Sequence, residues 1–520
     1  MKKTKLVSIL TALTMITSYS AIATAYSLGD ANSDGYVNVR DCAHIAKFLA
    51  KRNGSSLPET ADYNSDGTVD VRDAAKLASD IAKGNITSNS EFEYKGKLAT
   101  GGDVMTIMCH TGADLDPMLE AWMENEGYTE DQVQFLNFQV GGGEAATLYE
   151  QTILGDYKPT SIGENVQIDM FLVEPDWAHI FLNNDNFTAP IYDLGFTEAD
   201  FKNQYSFSNE LDTDSNGVLK SVSWKISPGG WCYRTDLAEK YLGVKSPEEM
   251  QELVSDWDKF ESTAKKIYEA SNGKTTITAT NYGMENAYIG SRSEPLIENG
   301  RFTAEKFIKD FMNLSKRMNS NGYINPNINA WSSDWYDLGQ TDSNMGYFVP
   351  DWGFGSSILE TAAGGENGAT YGKWGACQGP SPYYWGGSAI CVTPFTDNAD
   401  MVASFINYFA VNTDTIKSFA LDNSYSNKYF MNNQTAMQKI IDEGHNKNPL
   451  LNGQDEYAVL HENAKALDLE NCITPYDSDI SIALADAVGD YTKGEVSTIE
   501  ECYEIFNNRL SELLPEITVE

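Results

Sequence analysis

The sequence is poor in cysteine and in basic residues, and each shortage excludes classes of protein. Seven cysteines in 520 residues are too few for a disulfide scaffold, and none has the C-x-x-C spacing of zinc and redox sites. Lysine and arginine number 37 against 75 aspartates and glutamates, so the formal net charge is -38. Such a chain repels phosphate, which excludes nucleic acid and anionic lipid as partners.

Long apolar runs are absent after the N-terminal segment, so the sequence predicts no membrane span there. Lys2, Lys3 and Lys5 precede an apolar stretch from Leu6 to about Ser20, and Ala23-Thr24-Ala25 follows as a small-x-small cleavage site. This pattern predicts a signal peptide over residues 1–25 and a secreted, extracellular protein. A membrane anchor is the alternative, but the run is short and interrupted by Thr and Ser.

The pairing of the cysteines is open at the sequence level. Cys377 with Cys391, or Cys472 with Cys502, would be possible pairs, and buried free thiols are an equal alternative.

One twelve-residue segment occurs twice, from Asp30 to Asp41 and again from Asp62 to Asp73. Each copy has oxygen-bearing side chains at positions 1, 3, 5, 9 and 12 and glycine at position 6, where a calcium loop turns sharply. Metal-free Asx turns are the alternative, but so many carboxylates repel one another without a cation. The sequence therefore predicts two calcium ions. Their predicted ligands are Asp30, Asn32, Asp34, Tyr36, Asn38 and Asp41 in the first loop, and Asp62, Asn64, Asp66, Thr68, Asp70 and Asp73 in the second.

Each loop is followed by a helical pattern of apolar residues, and no amphipathic helix precedes either loop. The apolar positions are Cys42, Ile45, Ala46 and Leu49 in the first copy, and Ala74, Leu77, Ala78 and Ile81 in the second. Segment Ser27–Ile86 thus resembles a type I-like dockerin, the duplicated calcium module that binds cohesin domains of cellulosome-type scaffoldins.

The resemblance implies a cohesin contact at loop positions 10 and 11. The best-known dockerins carry Ser-Thr there, whereas this chain has Val39-Arg40 and Val71-Arg72. These four residues are the predicted cohesin-contact residues, and the cohesin type stays open.

The remainder of the chain alternates strand patterns with helical patterns. Segments Val104–Met108, Val133–Phe138 and Ile168–Val173 have the composition of buried strands, and helical patterns lie between them. This order predicts a parallel sheet with helices on both faces. Ligands of such sheets bind at the carboxyl ends of the strands, where the sequence places His110, Thr111, Glu174, Asp176 and Trp177.

Three later segments carry a second resemblance: Ser227–Leu237, Met345–Trp352 and Trp385–Ala389. In this order they resemble the crossover strand, the aromatic ligand loop and the returning hinge strand of extracellular solute-binding proteins of the carbohydrate-transporter class, which are related to maltose-binding protein. The resemblance implies an α/β, two-lobed periplasmic-binding-protein-like fold. It also implies hinge closure, with strands crossing near Ser223–Pro228 and Gly386–Ala389.

The expected organisation is a signal peptide (1–25), a small all-α duplicated calcium loop-helix domain (26–88), a linker (89–97) and the solute-binding domain (98–520).

Sugars stack their C–H faces on aromatic rings and offer hydroxyls to carboxylates and amides. The predicted ligand-binding residues are therefore His110, Thr111, Glu174, Asp176, Trp177, Trp231, Asp351, Trp352, Tyr384 and Trp385. For any single tryptophan in this set, core packing is the alternative.

Two further motifs are interpreted as turns. Asp212–Gly217 begins like a calcium loop, but position 12 is Ser223, which gives no closing carboxylate. Gly141–Gly143 lacks the Lys-Ser/Thr sequel of a phosphate loop.

The expected function is non-catalytic capture of carbohydrate, in the form of oligosaccharide, by a protein attached to a scaffold through cohesin, with an ABC importer as a further candidate partner. A glycoside hydrolase and a polysaccharide adhesion module are the alternatives.

Overall fold

The computed structural model describes most of the chain after the linker. The described residues are 28, 29, 31, 42, 44–46, 48, 49, 57, 59–65, 67–82, 96–110, 115–140, 142–153, 167–325, 327–354, 358–422, 429–470, 472–474, 476–515 and 517–519.

The strands of the described residues form one large sheet and two small hairpins. They are β1 (Met105–Cys109), β2 (Val133–Asn137), β3 (Met170–Val173), β4 (Ser221–Arg234), β5 (Ile297–Glu298), β6 (Arg301–Phe302), β7 (Gly346–Pro350), β8 (Trp374–Cys377), β9 (Tyr384–Val392), β10 (Lys447–Asn448) and β11 (Gln454–Asp455).

The described α-helices are one helix of the repeated segment and those of the large α/β domain, which cover both faces of the sheet. They are α1 (Val71–Ala82), α2 (Leu115–Glu126), α3 (Gly142–Ile153), α4 (Pro175–Leu182), α5 (Ser206–Asp212), α6 (Thr235–Leu242), α7 (Pro247–Val254), α8 (Trp257–Ala270), α9 (Asn281–Ile289), α10 (Glu305–Ser320), α11 (Ser333–Asp337), α12 (Leu359–Ala363), α13 (Ala399–Ile406), α14 (Thr413–Leu421), α15 (Gln434–Glu443), α16 (Glu456–Ala466), α17 (Asp477–Lys493) and α18 (Ile499–Leu513).

The large sheet has seven strands in the order β2-β1-β3-β9-β4-β7, with β8 also paired to β4. Strands β1, β2 and β3 are parallel, as the sequence predicts. Strand β9 is antiparallel to both β3 and β4, so the complete sheet is mixed.

Strand β4 belongs to two lobes. Its first half pairs with β9 from Ser221 to Pro228, and its second half pairs with β7 and β8 from Gly229 to Arg234. We call the part built on β1, β2 and β3 lobe 1, and the part built on β7 and β8 lobe 2. The predicted two-lobed α/β fold is confirmed.

Side chains alternate between the two faces of each strand, and each face has its own core. In lobe 1, Ile107 packs on one face, where α2 also packs, while Met108 packs on the other, against α4. In lobe 2, Tyr347 and Phe348 separate in the same way. Helices α9, α10, α17 and α18 cover the Phe348 face.

The β4–β9 pair is irregular where it passes between the lobes. Its register shifts twice, between Ser223 and Lys225 and between Ile226 and Pro228. Opposite these bulges, Gly386 and Gly387 have φ values of 87° and 137°, which side-chain-bearing residues rarely adopt. The irregular segment coincides with the hinge that the resemblance implies.

Candidate functional site

A cavity of about 310 Å³ lies between the two lobes. Lobe 1 contributes α4, with Trp177 and His179, and lobe 2 contributes α9 and the start of α17. The first residues of β9, Tyr384 and Trp385, connect the two walls. Concave sites between lobes, with apolar walls and a few polar groups, are typical binding sites for small molecules.

The lobe 2 side of the cavity carries an aromatic cluster formed by Tyr282, Trp331, Trp352 and Trp385. The rings of Trp331 and Trp352 stack with centroids 5.9 Å apart, and Tyr282 meets the Trp385 ring edge-on at 5.2 Å. Tyr282 and Trp385 line the cavity. Tyr282 and Trp331 remain 42% and 41% exposed, so the cluster keeps free ring surface.

Trp331 has a backbone φ of 70°, in the left-handed region that bulky residues avoid. Non-glycine residues in this region cost roughly 1–3 kcal/mol and concentrate at functional sites. The strained backbone holds its ring against those of Trp352 and Trp385.

On the lobe 1 side, the carboxyl ends of β1 and β3 bring three predicted residues together. His110 Nε2 lies 3.3 Å from Glu174 Oε1, and the His110 ring meets the Trp177 ring edge-on at 5.7 Å. Burial acts to raise the pKa of Glu174, but the hydrogen bond from His110 and the charges of His110 and Lys225 outweigh it and hold that pKa below its usual value.

Asp351 follows β7 directly and is buried at the hinge. Burial raises its pKa to about 6, although the positive charge of Lys225 opposes the increase. Lys225 sits in the bulged part of β4, and its Nζ lies 5.5 Å from the ring centroids of Trp224 and Tyr429.

Four described residues with acid or base side chains line the cavity: His179, Glu285, Arg292 and Asp477. The Arg292 guanidinium donates to the Asp477 carboxylate and to the carbonyl oxygen of Ile289. Burial raises the pKa of Glu285 to about 8, and the nearby charge of Asp486 adds to the increase. Burial lowers the pKa of His179.

The other predicted ligand residues fall in different places. Trp352, Tyr384 and Trp385 are half-buried around the cavity, where Tyr384 stacks on Phe207 at 5.9 Å. Asp176 lies on α4, but its side chain is outside the described set, as is Thr111.

Trp231 is a correction to the predicted site. It lies on β4 with 0% exposure, and its ring packs against Tyr233 and Phe260 in the lobe 2 core. The alternation of side chains along the strand turns it toward α8, so we do not include it in the binding surface.

Several lining residues escaped the sequence analysis, among them Tyr282, Glu285 and Arg292. Residues 331–336 contain three aromatic residues, but nothing in that segment distinguishes rings that border the cavity from rings of the core. Residues of α9 and α17 meet only through the tertiary fold, which leaves no local sequence signal.

The second predicted calcium loop is largely described and forms a compact turn before α1. The Asp73 carboxylate is buried and accepts the backbone N–H groups of Asn64 and Asp70 at 2.9 and 2.8 Å. Gly67, at φ 87°, donates its N–H to Asp62 Oδ2 at 2.8 Å. These bonds orient two carboxylates into one loop.

This oxygen-rich loop fits a hard cation such as calcium, because carboxylates and carbonyls are its preferred ligands. Among the described residues, no group of three or more His, Cys, Asp or Glu side chains stands ready for a metal ion. Asp66 lies outside the described residues, as do the first-loop residues Asp30, Asn32, Asp34, Tyr36, Asn38 and Asp41 and their neighbours Val39 and Arg40.

The predicted cohesin-contact residues of the second loop start α1. Val71 is 69% exposed, and the Arg72 guanidinium binds the Asp70 carboxylate with an Nη2–Oδ2 distance of 2.6 Å. Behind them Ile45 and Leu77 are buried in one small core, so the two repeats pack on each other.

Of the two motifs interpreted as turns, the structure confirms the one at Asp212–Gly217 and contradicts the other at Gly142 and Gly143. Asp214 accepts the N–H groups of Asn216 and Val218 in a hairpin turn closed by a Thr213–Leu219 bridge, as the interpretation of that motif as a turn requires. Gly142 and Gly143 begin α3 and do not form a turn. All seven cysteines are free thiols. In the described part of the chain, no helix is both long and apolar enough to cross a bilayer.

The lobes, the hinge strands and the cavity between them define a two-lobed binding-protein fold. The family model "Bacterial extracellular solute-binding protein" matches residues 158–427, more than half of the chain. The chain therefore belongs to the bacterial extracellular solute-binding protein family. The family model "Dockerin type I domain" matches residues 28–82, which confirms the dockerin resemblance.

Solved structures show the same fold at low sequence identity. An extracellular solute-binding protein of family 1 superposes with a TM-score of 0.65 at 16% identity, covering 79% of this chain and 99% of its own. The sugar-binding protein MalE from Xanthomonas citri superposes with a TM-score of 0.61 at 12% identity, covering 79% of this chain and 98% of its own. An ABC transporter-associated binding protein from B. animalis subsp. lactis was solved in complex with β-1,6-galactobiose. It superposes with a TM-score of 0.53 at 16% identity, covering 81% of this chain and 100% of its own. No curated protein matches the chain.

Proposed function

We propose that this protein is a secreted, non-catalytic receptor that captures an oligosaccharide between its two lobes. The observation that carries the proposal is the interlobe cavity, where the aromatic cluster and several polar side chains lie on the lobe 2 side and face Trp177 and His179 of lobe 1. Two of the similar structures are described as a sugar-binding protein and a complex with β-1,6-galactobiose. Rings of the cluster offer flat faces to a sugar, while Glu285, Asn286 and Thr474 offer hydrogen bonds to its hydroxyls.

Closure of the lobes is part of the proposal. The bulged β4–β9 pair, with its two positive-φ glycines, lies where the lobes join and would absorb the change of angle. Closing would bring Trp177 and His110 of lobe 1 toward the sugar held by lobe 2.

The second part of the proposal is attachment to a scaffold. The dockerin match over residues 28–82 supports docking to a cohesin, with two calcium ions holding the loops. The proposed domains are a signal peptide (1–25), the dockerin (26–88), a linker (89–97) and the binding domain (98–520). An ABC importer is a further candidate partner that would receive the captured sugar.

Titration of the full chain with soluble oligosaccharides of the cellulose, xylan, mannan and starch series, followed by tryptophan fluorescence and calorimetry, tests capture. Saturable binding of at least one series is expected, with no shortened products after long incubation. Product formation would favour a glycoside hydrolase, and pull-down by solid polysaccharide without soluble binding would favour adhesion.

A further inference from the structure

The interlobe cavity contains one carboxyl group that the fold leaves without a partner. Glu285, on α9, is only 8% exposed and lines the cavity. Among the described residues it takes part in no hydrogen bond or ion pair, whereas other buried carboxylates such as Asp212 and Asp477 have several donors. A buried polar group without a partner costs free energy, and it recovers that cost when a ligand supplies the missing bond.

Two nitrogen atoms around the same cavity are also unpartnered. Asn286 Nδ2 and His179 Nε2 are buried without a hydrogen bond among the described residues, and both side chains line the cavity. Three unsatisfied polar groups thus surround one space, and they come from both lobes.

The charges on the cavity wall balance. Arg292 is the sole described cation among the lining residues, and Asp477 already neutralises it. Burial lowers the pKa of His179, and burial together with the charge of Asp486 raises the pKa of Glu285 to about 8, so burial favours the neutral form of both groups at pH 7. Asp486, on α17, is exposed and pairs with Arg509 Nε at 3.1 Å, and its charge also acts on Glu285.

We propose that the cleft selects an uncharged saccharide, and that Glu285 determines this selectivity by donating a hydrogen bond to a sugar oxygen. This rests on the proposed function. A uronic acid would find no free cation on the described wall. The ammonium group of an amino sugar would form an ion pair with Glu285 only after that carboxyl had released its proton to solvent. A neutral hydroxyl, both donor and acceptor, satisfies a protonated carboxyl directly.

The test compares matched trisaccharides, with cellotriose and maltotriose as neutral probes and trigalacturonate and the glucosamine trimer as charged probes. The Kd values are measured by calorimetry on the full chain at pH 7. At least one neutral probe should bind, and its Kd should be at least tenfold lower than that of either charged probe. Tighter binding of a charged probe would overturn the inference while leaving saccharide capture intact. Failure of every saccharide would overturn the proposed function and this inference with it.

Two substitutions isolate Glu285. Glu285→Gln keeps a donor and an acceptor but cannot ionise, so it should hold the neutral probe within threefold of the wild-type Kd. Glu285→Leu removes both and should weaken binding at least tenfold.

The affinity of the wild type should fall at least fivefold between pH 6 and pH 9, and that of Glu285→Gln should not. Glu298→Gln, at an exposed position of β5, is the matched control and should follow the wild type. Equal pH dependence in wild type and Glu285→Gln, or wild-type affinity in Glu285→Leu, would contradict the assignment.

Discussion

Trp385 combines the two properties expected of a sugar-binding ring. It lines the interlobe cavity, and its neighbours Tyr282, Trp331 and Trp352 hold it from three sides at centroid distances of 5.2 to 5.9 Å. A ring held in this way loses little side-chain entropy when a sugar stacks on it.

Replacing Trp385 with alanine should weaken oligosaccharide binding by roughly tenfold, or about 1.5 kcal/mol, because the stacking surface is lost. Calorimetric titration measures the effect. Trp231→Phe is the matched control, since that tryptophan is fully buried in the lobe 2 core. It should lower the free energy of unfolding by about 1–2 kcal/mol and leave the affinity unchanged. Loss of oligosaccharide affinity in Trp231→Phe but not in Trp385→Ala would contradict the assignment of Trp385 to the binding surface.

Glu285 should also give stability an unusual pH dependence without any ligand. Burial raises the pKa of Glu285 in the folded state to about 8, whereas the same carboxyl exposed in the unfolded chain has a pKa of about 4.5. Between those pH values the folded state holds one proton more than the unfolded state, so stability falls as pH rises. The loss is on the order of 5 kcal/mol over that window. Urea unfolding from pH 5 to pH 9 should show that Glu285→Gln lacks this part of the decline. Parallel curves for wild type and variant would show that Glu285 is ionised throughout.

At the residue scale, the sequence shows which aromatic residues could bind a sugar, but it does not show which of their rings reach the cleft. Trp177, Trp352 and Trp385 reach the cleft region, while Trp231, in a similar Gly-rich setting, does not. The difference is strand register: Trp231 points to the α8 face of β4, and which face is covered depends on where distant helices dock.

At the scale of elements, the three parallel strands of lobe 1 could be recognised from buried runs, and their observed bounds differ by only a few residues. Residues 247–270 form two helices, α7 and α8, because Asp256 caps the second by accepting the Lys259 N–H at 2.7 Å. Strand β4 was harder to predict at full length, since Pro228 is tolerated there only at a bulge.

The glycine pair of β9 offers a prediction at this scale. A Cβ at Gly387 would lie 3.1 Å from the Lys225 carbonyl oxygen, and its φ is 137°. Gly386, at φ 87°, has open space around it. Gly387→Ala should therefore destabilise the fold by about 2–3 kcal/mol, and Gly386→Ala by about 1 kcal/mol. Chemical denaturation of both variants gives the comparison. Equal losses would mean that contact with β4 does not constrain Gly387.

At the scale of the whole molecule, two modules with different chemistry share one chain. The second loop of the dockerin contains the buried carboxylate of Asp73. In the cleft, the described cation Arg292 is paired with Asp477. Calcium removal should therefore affect attachment and spare capture.

Chelation with EDTA should abolish capture of the full chain by an immobilised cohesin and leave its oligosaccharide Kd within twofold. Asp73→Ala should weaken cohesin binding at least tenfold in the presence of calcium, because the second loop loses its closing carboxylate. Asp214→Ala, in the hairpin turn that begins like a calcium loop, is the control and should bind cohesin normally. Cohesin binding that survives excess chelator would contradict the calcium-dependent attachment.

The position of β9 between β3 and β4 determines when lobe 1 can complete its sheet during synthesis. Strands β1 to β3 leave the ribosome early, but β3 finds its second neighbour only when residues 384–392 have been synthesised, after much of lobe 2. Until then the growing chain carries an unpaired, apolar strand edge, which is a site for aggregation and for chaperone binding. Lobe 1 therefore completes its sheet late, and the proposed export, if it occurs in an unfolded state, would avoid the delay in the cytoplasm.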